Sequence, residues 1–262
     1  MATNRQASDT VIQSVQRAAA ILRCFTKTDA ELGVTALSRQ LGVHKSTVSR
    51  LLSTLQQEGF VEQNPETGKY RLGMALVTLA GIVLDRLDLR ELAQPHLNEL
   101  ADRTQETINL AILSGHECMN IAGAASPRPI QYVGRIGRRT PLHCTSAGKV
   151  LLAYLTPEER QQTLPAELPA YTDRTIVDRQ LLEQILAQIR QEGFAVTHQE
   201  HQQDLSAVAA PIFDHTGRVV ASLVVSGPTF RFGPAEVEAF VQAVQQTAHD
   251  ISAQLGRLPV SR

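Results

Sequence analysis

The chain has 262 residues, 43% hydrophobic and 19% charged. This excludes disorder over most of the length and fits one large domain or two modest ones. The net charge of −1 conceals a split, because residues 1–73 hold 9 basic and 6 acidic side chains and residues 74–262 hold 16 and 20. A basic front and an acidic back imply two parts, the front suited to meeting a polyanion.

Residues 1–13 read as a disordered polar tail without the apolar core of a secretory signal. From Ser14, Val15, Ala18, Ala19, Ile21, Leu22 and Phe25 recur at helical spacing, and the polar run after Thr26 ends that helix. A second short helix covers 35–41, with Thr35 as a plausible N-cap and Gly42 as its stop. A third runs from Lys45 to Glu58, with Val48, Leu51, Leu52 and Leu55 inward and Gly59 at its end. Two extended segments, 60–63 and 69–72, flank Asn64-Pro65-Glu66-Thr67-Gly68, which is turn chemistry and predicts a hairpin.

Helix, helix, glycine turn, helix and hairpin is the order of a winged helix-turn-helix. The outward face of the third helix carries Lys45, Ser46, Thr47, Ser49, Arg50 and Ser53. Serine and threonine are poor helix formers, so a face meant only for water would hold more Glu and Lys. Short polar side chains beside two cations let a helix approach base edges and phosphates. Residues expected to meet DNA are Thr35, Lys45, Ser46, Thr47, Ser49 and Arg50, with Lys69 and Arg71 on the wing.

Met74 to Leu84 is apolar on nearly all sides and continues towards Arg86 and Leu87. It is too short to span a bilayer, so no membrane partner is expected. A helix this apolar must be covered all round. Either the second domain covers it or the same helix of another subunit does, and pairing of DNA readers on two half-sites favours the second. Another helix follows from Leu89 to Arg103, with a kink or restart at Pro95.

From Thr107 the pattern changes to strands. Residues 108–113 and 118–122 form a hairpin about Ser114-Gly115-His116, and Pro129–Val133 extends the sheet. Residues 134–143 read as a Gly/Arg-rich loop. A helix opens at Thr145-Ser146-Ala147-Gly148-Lys149, and another at Thr156-Pro157. Asp178 to Glu192 is an amphipathic helix stopped by Gly193. Strands 194–197, 206–213 and 219–226 and a last helix, Pro234 to Leu255, complete an α+β domain.

In this order and spacing the sequence resembles the IclR family of bacterial transcriptional regulators. The likeness runs from Ser14 to Leu255. It rests on Ser14-Val15-Gln16-Arg17-Ala18, Lys45-Ser46-Thr47-Val48-Ser49-Arg50-Leu51-Leu52 and Tyr70-Arg71-Leu72-Gly73 in the front part. Behind them stand Pro141-Leu142-His143, Ser146-Ala147-Gly148-Lys149, residues 208–214 (VAAPIFD) and Val225-Ser226-Gly227-Pro228. The resemblance implies a winged helix-turn-helix (residues 14–73), a linker helix (74–88) and a GAF-like effector-binding domain (89–262). It implies a cytoplasmic homodimer or homotetramer on double-stranded operator DNA, expected to act as a repressor of a catabolic operon. The effector it implies is a small carboxylic or aromatic acid, with no cofactor, metal or catalytic residue.

An effector has a natural seat at the helix opening after Thr145, where free N–H groups and the helix dipole favour an anion. Alternatively Thr145 or Ser146 only caps that helix. The family's pocket maps onto Tyr132, Ser146, Ala147, Thr197, Ala207, Val224 and Ser226. Relatives that bind small keto acids carry an acid near Thr197, a cysteine at Ala207 and a serine at Val224. The more apolar choices here point to a ligand with a larger apolar or aromatic part and one carboxylate. Arg135, Arg138 and Arg139 form a solvated or salt-bridged loop, or pair with the anion. His198 and His201 make a weak metal pair, and Cys144 beside His143 reads as a buried thiol rather than a nucleophile. The competing functions are an enzyme with a DNA-binding accessory and a ligand-free structural DNA-binding protein.

Overall fold

Ile21, Leu37, Val48, Leu52 and Val61 are fully buried together in one small core at the front of the chain. The computed structural model describes residues 12–26, 28–84, 88–132 and 134–257, in two units, Met1–Arg86 and Leu87–Arg262. In the first unit α1 (Gln13–Cys24), α2 (Val34–Leu41) and α3 (Lys45–Gln57) build the core. The antiparallel pair β1 (Val61–Gln63) and β2 (Tyr70–Leu72) adds Val61 and Tyr70 to it.

α1 starts at Gln13, so the expected tail ends earlier than residue 13, and residues 1–11 lie outside the described residues. Thr35 does not cap α2. Gly33 is the N-cap and Thr35 lies inside the helix. Leu32 and Tyr70 exchange two backbone hydrogen bonds of 2.9 Å, which holds the chain extended up to Gly33 and lets the helix begin directly after it. Gly42 ends α2 at φ +63°, a left-handed conformation that a Cβ would oppose. α4 (Ala75–Leu84) takes up the long apolar run. Its expected continuation through residues 85–87 lies outside the described residues, and Asp88 is instead the N-cap of the next helix.

The second unit comprises α5 (Leu89–Thr104), β3 (Thr107–Ser114), β4 (Glu117–Ala124), β5 (Arg139–Pro141) and α6 (Ser146–Ala153), followed by α7 (Pro157–Thr163) and α8 (Arg179–Glu192). Then come β6 (Ala195–His198), β7 (Leu205–Phe213), β8 (Val219–Pro228) and α9 (Pro234–Gln254). The strands form one antiparallel sheet in the order β5-β4-β3-β8-β7-β6. Side chains alternate across it. Ile108, Leu110, Val208, Ile212, Leu223 and Val225 pack with α5 and α9 on one face. Ala111, Ala207, Ala209 and Val224 face α6 and α8 on the other. The chain is therefore α+β, with helices on both faces of the second sheet.

α5 runs unbroken through Pro95, held by Ala93 before it and Leu97 and Leu100 after it, all buried. The expected strand Pro129–Val133 is absent over its described residues. Pro127 and Pro129 have no N–H for a ladder, and the carbonyls of Ile130 and Tyr132 accept from Arg231 and the Thr107 hydroxyl instead. β5, within the stretch expected to be loop, pairs with β4. Among the described residues no helix is long and apolar enough to cross a membrane.

Candidate functional site: a helix face and a cavity

The packing that buries Val48, Leu52 and Leu55 turns the opposite face of α3 outward. Lys45, Ser46, Ser49, Arg50 and Ser53 are exposed and Thr47 is half-buried. No acid stands in the first turn, so the positive end of the helix dipole and Lys45 act together. His44, which sequence reasoning missed, caps α3. Its Nδ1 accepts from the Ser46 backbone N–H and lies 2.8 Å from the Ser46 hydroxyl. Histidine is a rare cap, so no residue rule flags it. Thr35 and Lys69 are exposed. Arg71 pairs with Glu62 across the wing at 3.1 Å, with both side chains about half exposed. Such an exposed pair contributes little to stability.

In the second unit strand register brings distant residues together. Thr197 lies opposite Ala207, and Ala207 opposite Ser226. Val224 lies opposite Asn109. Their shared face, the start of α6 and Tyr132 enclose one cavity, and all seven residues expected at an effector pocket line it. Its empty space is about 530 Å3 including the mouth. Asn109, Asn120, Thr140, Glu200 and His201 line it as well. Ala207 and Val224 are as apolar as expected, and the cavity around them also carries buried polar side chains. Asn109, buried at 3% exposure within the apolar run Ile108-Asn109-Leu110-Ala111, was the sequence signal that could have found this.

α6 starts against the cavity. Thr145 is its cap: the hydroxyl accepts from the Gly148 N–H at 3.2 Å and donates to the Pro141 carbonyl at 2.7 Å. Gly148 permits the approach, since a Cβ there would lie 2.3 Å from the Leu142 carbonyl oxygen. Ser146 is left without a capping task. Its hydroxyl oxygen, in a residue 1% exposed, has no hydrogen-bond partner among the described residues.

Residues 14–65 match the IclR helix-turn-helix domain, and residues 81–253 match the bacterial transcriptional regulator IclR C-terminal domain. The chain belongs to the IclR family. It is 40% identical over 247 residues to the HTH-type transcriptional regulator XynR of Escherichia coli (strain K12), covering 94% of this chain and 98% of that one. It is similar to the crystal structure of the Agrobacterium tumefaciens repressor BlcR, with a TM-score of 0.79 and 26% identity over 96% of this chain and 100% of that one. It is also similar to an IclR homolog from Microbacterium hydrocarbonoxydans complexed with 4-hydroxybenzoate, with a TM-score of 0.59 and 26% identity over 93% and 99% of the two chains. The protein is a DNA-binding transcriptional regulator of IclR type, and its second unit is the family's C-terminal domain.

The charges of this IclR-family cavity are largely compensated. Both Glu200 carboxylate oxygens lie 2.6 Å from Lys149 Nζ on α6. Burial pushes the Glu200 carboxyl above its ordinary range, and Lys149 opposes that shift. Burial, then Arg138 and His143, lowers the His201 imidazole, which is therefore neutral at pH 7. Burial raises the Tyr132 phenol, while the Arg138 guanidinium, 5.1 Å from its ring centre, pulls it down. Arg139 is tied to Ser114 and Glu117, and Arg135 is exposed.

Burial pushes the Cys144 thiol up to about 12, so it is no thiolate, and the His143 Nε2 meets the Pro169 carbonyl at 2.9 Å. His198 turns to Ser206 at 3.1 Å while His201 lines the cavity. Among the described residues no group of three or more His, Cys, Asp or Glu side chains is placed to hold a metal.

Proposed function

We propose that this regulator is a cytoplasmic homodimer or homotetramer that represses a catabolic operon and responds to a small carboxylic acid. In this reading residues 14–73 bind double-stranded operator DNA, 74–88 link, and 89–262 sense the effector. Thr35, Lys45, Ser46, Thr47, Ser49 and Arg50 meet the duplex with Lys69 and Arg71. The exposed hydrogen-bonding face of α3 and the absence of acids from its first turn support this. Val77 and Leu79 on α4, and Met74 just before it, stand exposed and support pairing through that helix, because a second copy would bury them. The repressor BlcR among its structural relatives supports the sign of control.

The observation that carries the effector site is the Ser146 hydroxyl at the start of α6, which lines the cavity with no hydrogen-bond partner among the described residues, beside the N–H groups of the helix's first turn. A carboxylate seated there accepts from the hydroxyl and the N–H groups and meets the positive end of the helix dipole. Tyr132, Ala147, Thr197, Ala207, Val224 and Ser226 form the walls. The relative bound to 4-hydroxybenzoate supports an acid in this domain. Binding shifts the population between pairings of the DNA-binding domains, and operator DNA changes effector affinity by the same factor. A gel shift on the gene's upstream DNA, with and without a panel of carboxylic acids, tests the reading. A specific shift altered by one acid is expected. A specific shift that no acid alters would remove the effector site and leave the DNA-binding role.

A further inference from the structure

A serine hydroxyl ordinarily both donates and accepts, so it reads a base edge ambiguously. Ser46, exposed in the first turn of α3, has lost that freedom. His44 Nδ1 accepts from the Ser46 backbone N–H at 3.3 Å. A backbone N–H can only donate, so Nδ1 presents a lone pair and carries no hydrogen. The Ser46 hydroxyl lies 2.8 Å from the same nitrogen, and against a bare lone pair it is the O–H that donates. The hydroxyl hydrogen is thus held on the ring, and Ser46 turns only oxygen lone pairs outward. The backbone beside it is spent as well, since the Thr47 and Val48 N–H groups both donate to the His44 carbonyl, at 3.0 and 3.1 Å.

Resting on the DNA-binding role given above to the α3 face, we propose that Ser46 is a one-way hydrogen-bond acceptor that reads a base amine, adenine N6 or cytosine N4, in the major groove. His44 is the positioning residue that sets this polarity. Phosphate oxygens only accept, so Ser46 as held has no hydrogen to give them and is not a backbone contact. In the major groove the amines are the donors, while guanine N7 and O6, adenine N7 and thymine O4 accept. Lys45 and Arg50 on the same face only donate, which suits phosphates and the base acceptors. Ser46 supplies the complementary half of the code.

The test uses the full chain and base analogues. Selection of binding sites from random duplex DNA by the wild type and by Ser46→Ala locates the base pair whose preference depends on Ser46. Every base pair carries an amine and an acceptor in the major groove, so preference alone does not report polarity. At that pair, purine in place of adenine, or 2-pyrimidinone in place of cytosine, deletes the amine. A 7-deazapurine deletes the N7 acceptor. Deleting the amine should weaken the wild type about fivefold more than Ser46→Ala, the worth of one hydrogen bond. The difference between the two proteins cancels any change in the duplex itself. The 7-deaza substitution should weaken both equally. His44→Leu should lose most of the extra sensitivity to the amine, because the freed hydroxyl can turn and donate. His44→Asn should keep it, because an amide oxygen at an N-cap accepts as Nδ1 does. Extra sensitivity to the lost acceptor instead, or full amine sensitivity in His44→Leu, would overturn the assigned polarity. So would the absence of any base pair that depends on Ser46. In that case a pair that depends on Arg50, found by the same selection with Arg50→Ala, would leave the α3 reading in place, and dependence on neither residue would overturn both.

Discussion

Replacing Lys149 by Met isolates the buried charge pair that underlies the cavity. Lys149 is 1% exposed and Glu200 8%, and Nζ stands 2.6 Å from both carboxylate oxygens. Methionine keeps the stem and removes the ammonium, so Glu200 is left buried without its cation. Breaking such a pair from one side costs about 3–5 kcal/mol. At about 2.1 cal/mol/K per residue, the Leu87–Arg262 unit unfolds with roughly 0.4 kcal/mol/K. The melting temperature should therefore fall by about 8–12 °C near neutral pH.

The loss should also depend on pH. Burial already raises the folded-state pKa of Glu200, and without Lys149 that shift grows. Folded Glu200 then holds a proton where the unfolded chain has released it, so the variant loses stability as pH rises above the ordinary carboxylate range. Scanning calorimetry should find the deficit smallest near about pH 4 and largest near about pH 8. Lys149→Met with Glu200→Leu should recover most of it, since a buried pair replaced on both sides by apolar groups is often neutral. A deficit constant with pH, or a double variant as unstable as the single one, would refute the charge-pair account and leave only packing.

Arg50→Ala should weaken specific operator binding by about 1–3 kcal/mol if Arg50 reads a base. An equal loss on unrelated DNA with a shallower salt slope would place it on phosphate. Val77→Asp, on the exposed flank of α4, should halve the mass in sedimentation, and an unchanged mass would refute pairing through that helix. Glu106, 1% exposed, holds Arg231 at 2.5 and 2.8 Å and Arg128 at 3.4 Å, and Arg231 also donates to the Ile130 carbonyl. Glu106→Gln should speed amide exchange around residues 126–132 and lower stability by about 3 kcal/mol. Unchanged exchange there would show that the two arginines do not tether the segment carrying Tyr132.

What the sequence determined by itself is what local chemistry decides. The period of Ile21, Leu37, Val48 and Leu52, the glycine after Leu41 and the Pro/Gly turn before Lys69 specify the winged unit within short windows. So do the Thr156-Pro157 and Asp178 helix starts, where a cap and its partners lie within three residues. The expected strand at Pro129–Val133 and the cap at Thr35 went otherwise because remote partners decided them: Thr107 and Arg231 for the first, Tyr70 for the second. The character of the cavity is non-local in the same way. Thr197, Ala207 and Ser226 were expected at one pocket through family likeness. Only antiparallel register sets Asn109 opposite Val224 on that face and brings Asn120 against it. A one-residue slip would turn each side chain to the α5 and α9 face. The Lys149–Glu200 pair spans 51 positions, and no periodicity or spacing reports it. Tertiary packing alone decides that Thr145 spends its hydroxyl on capping while Ser146 keeps one free, because that depends on how closely Gly148 lets α6 approach Leu142.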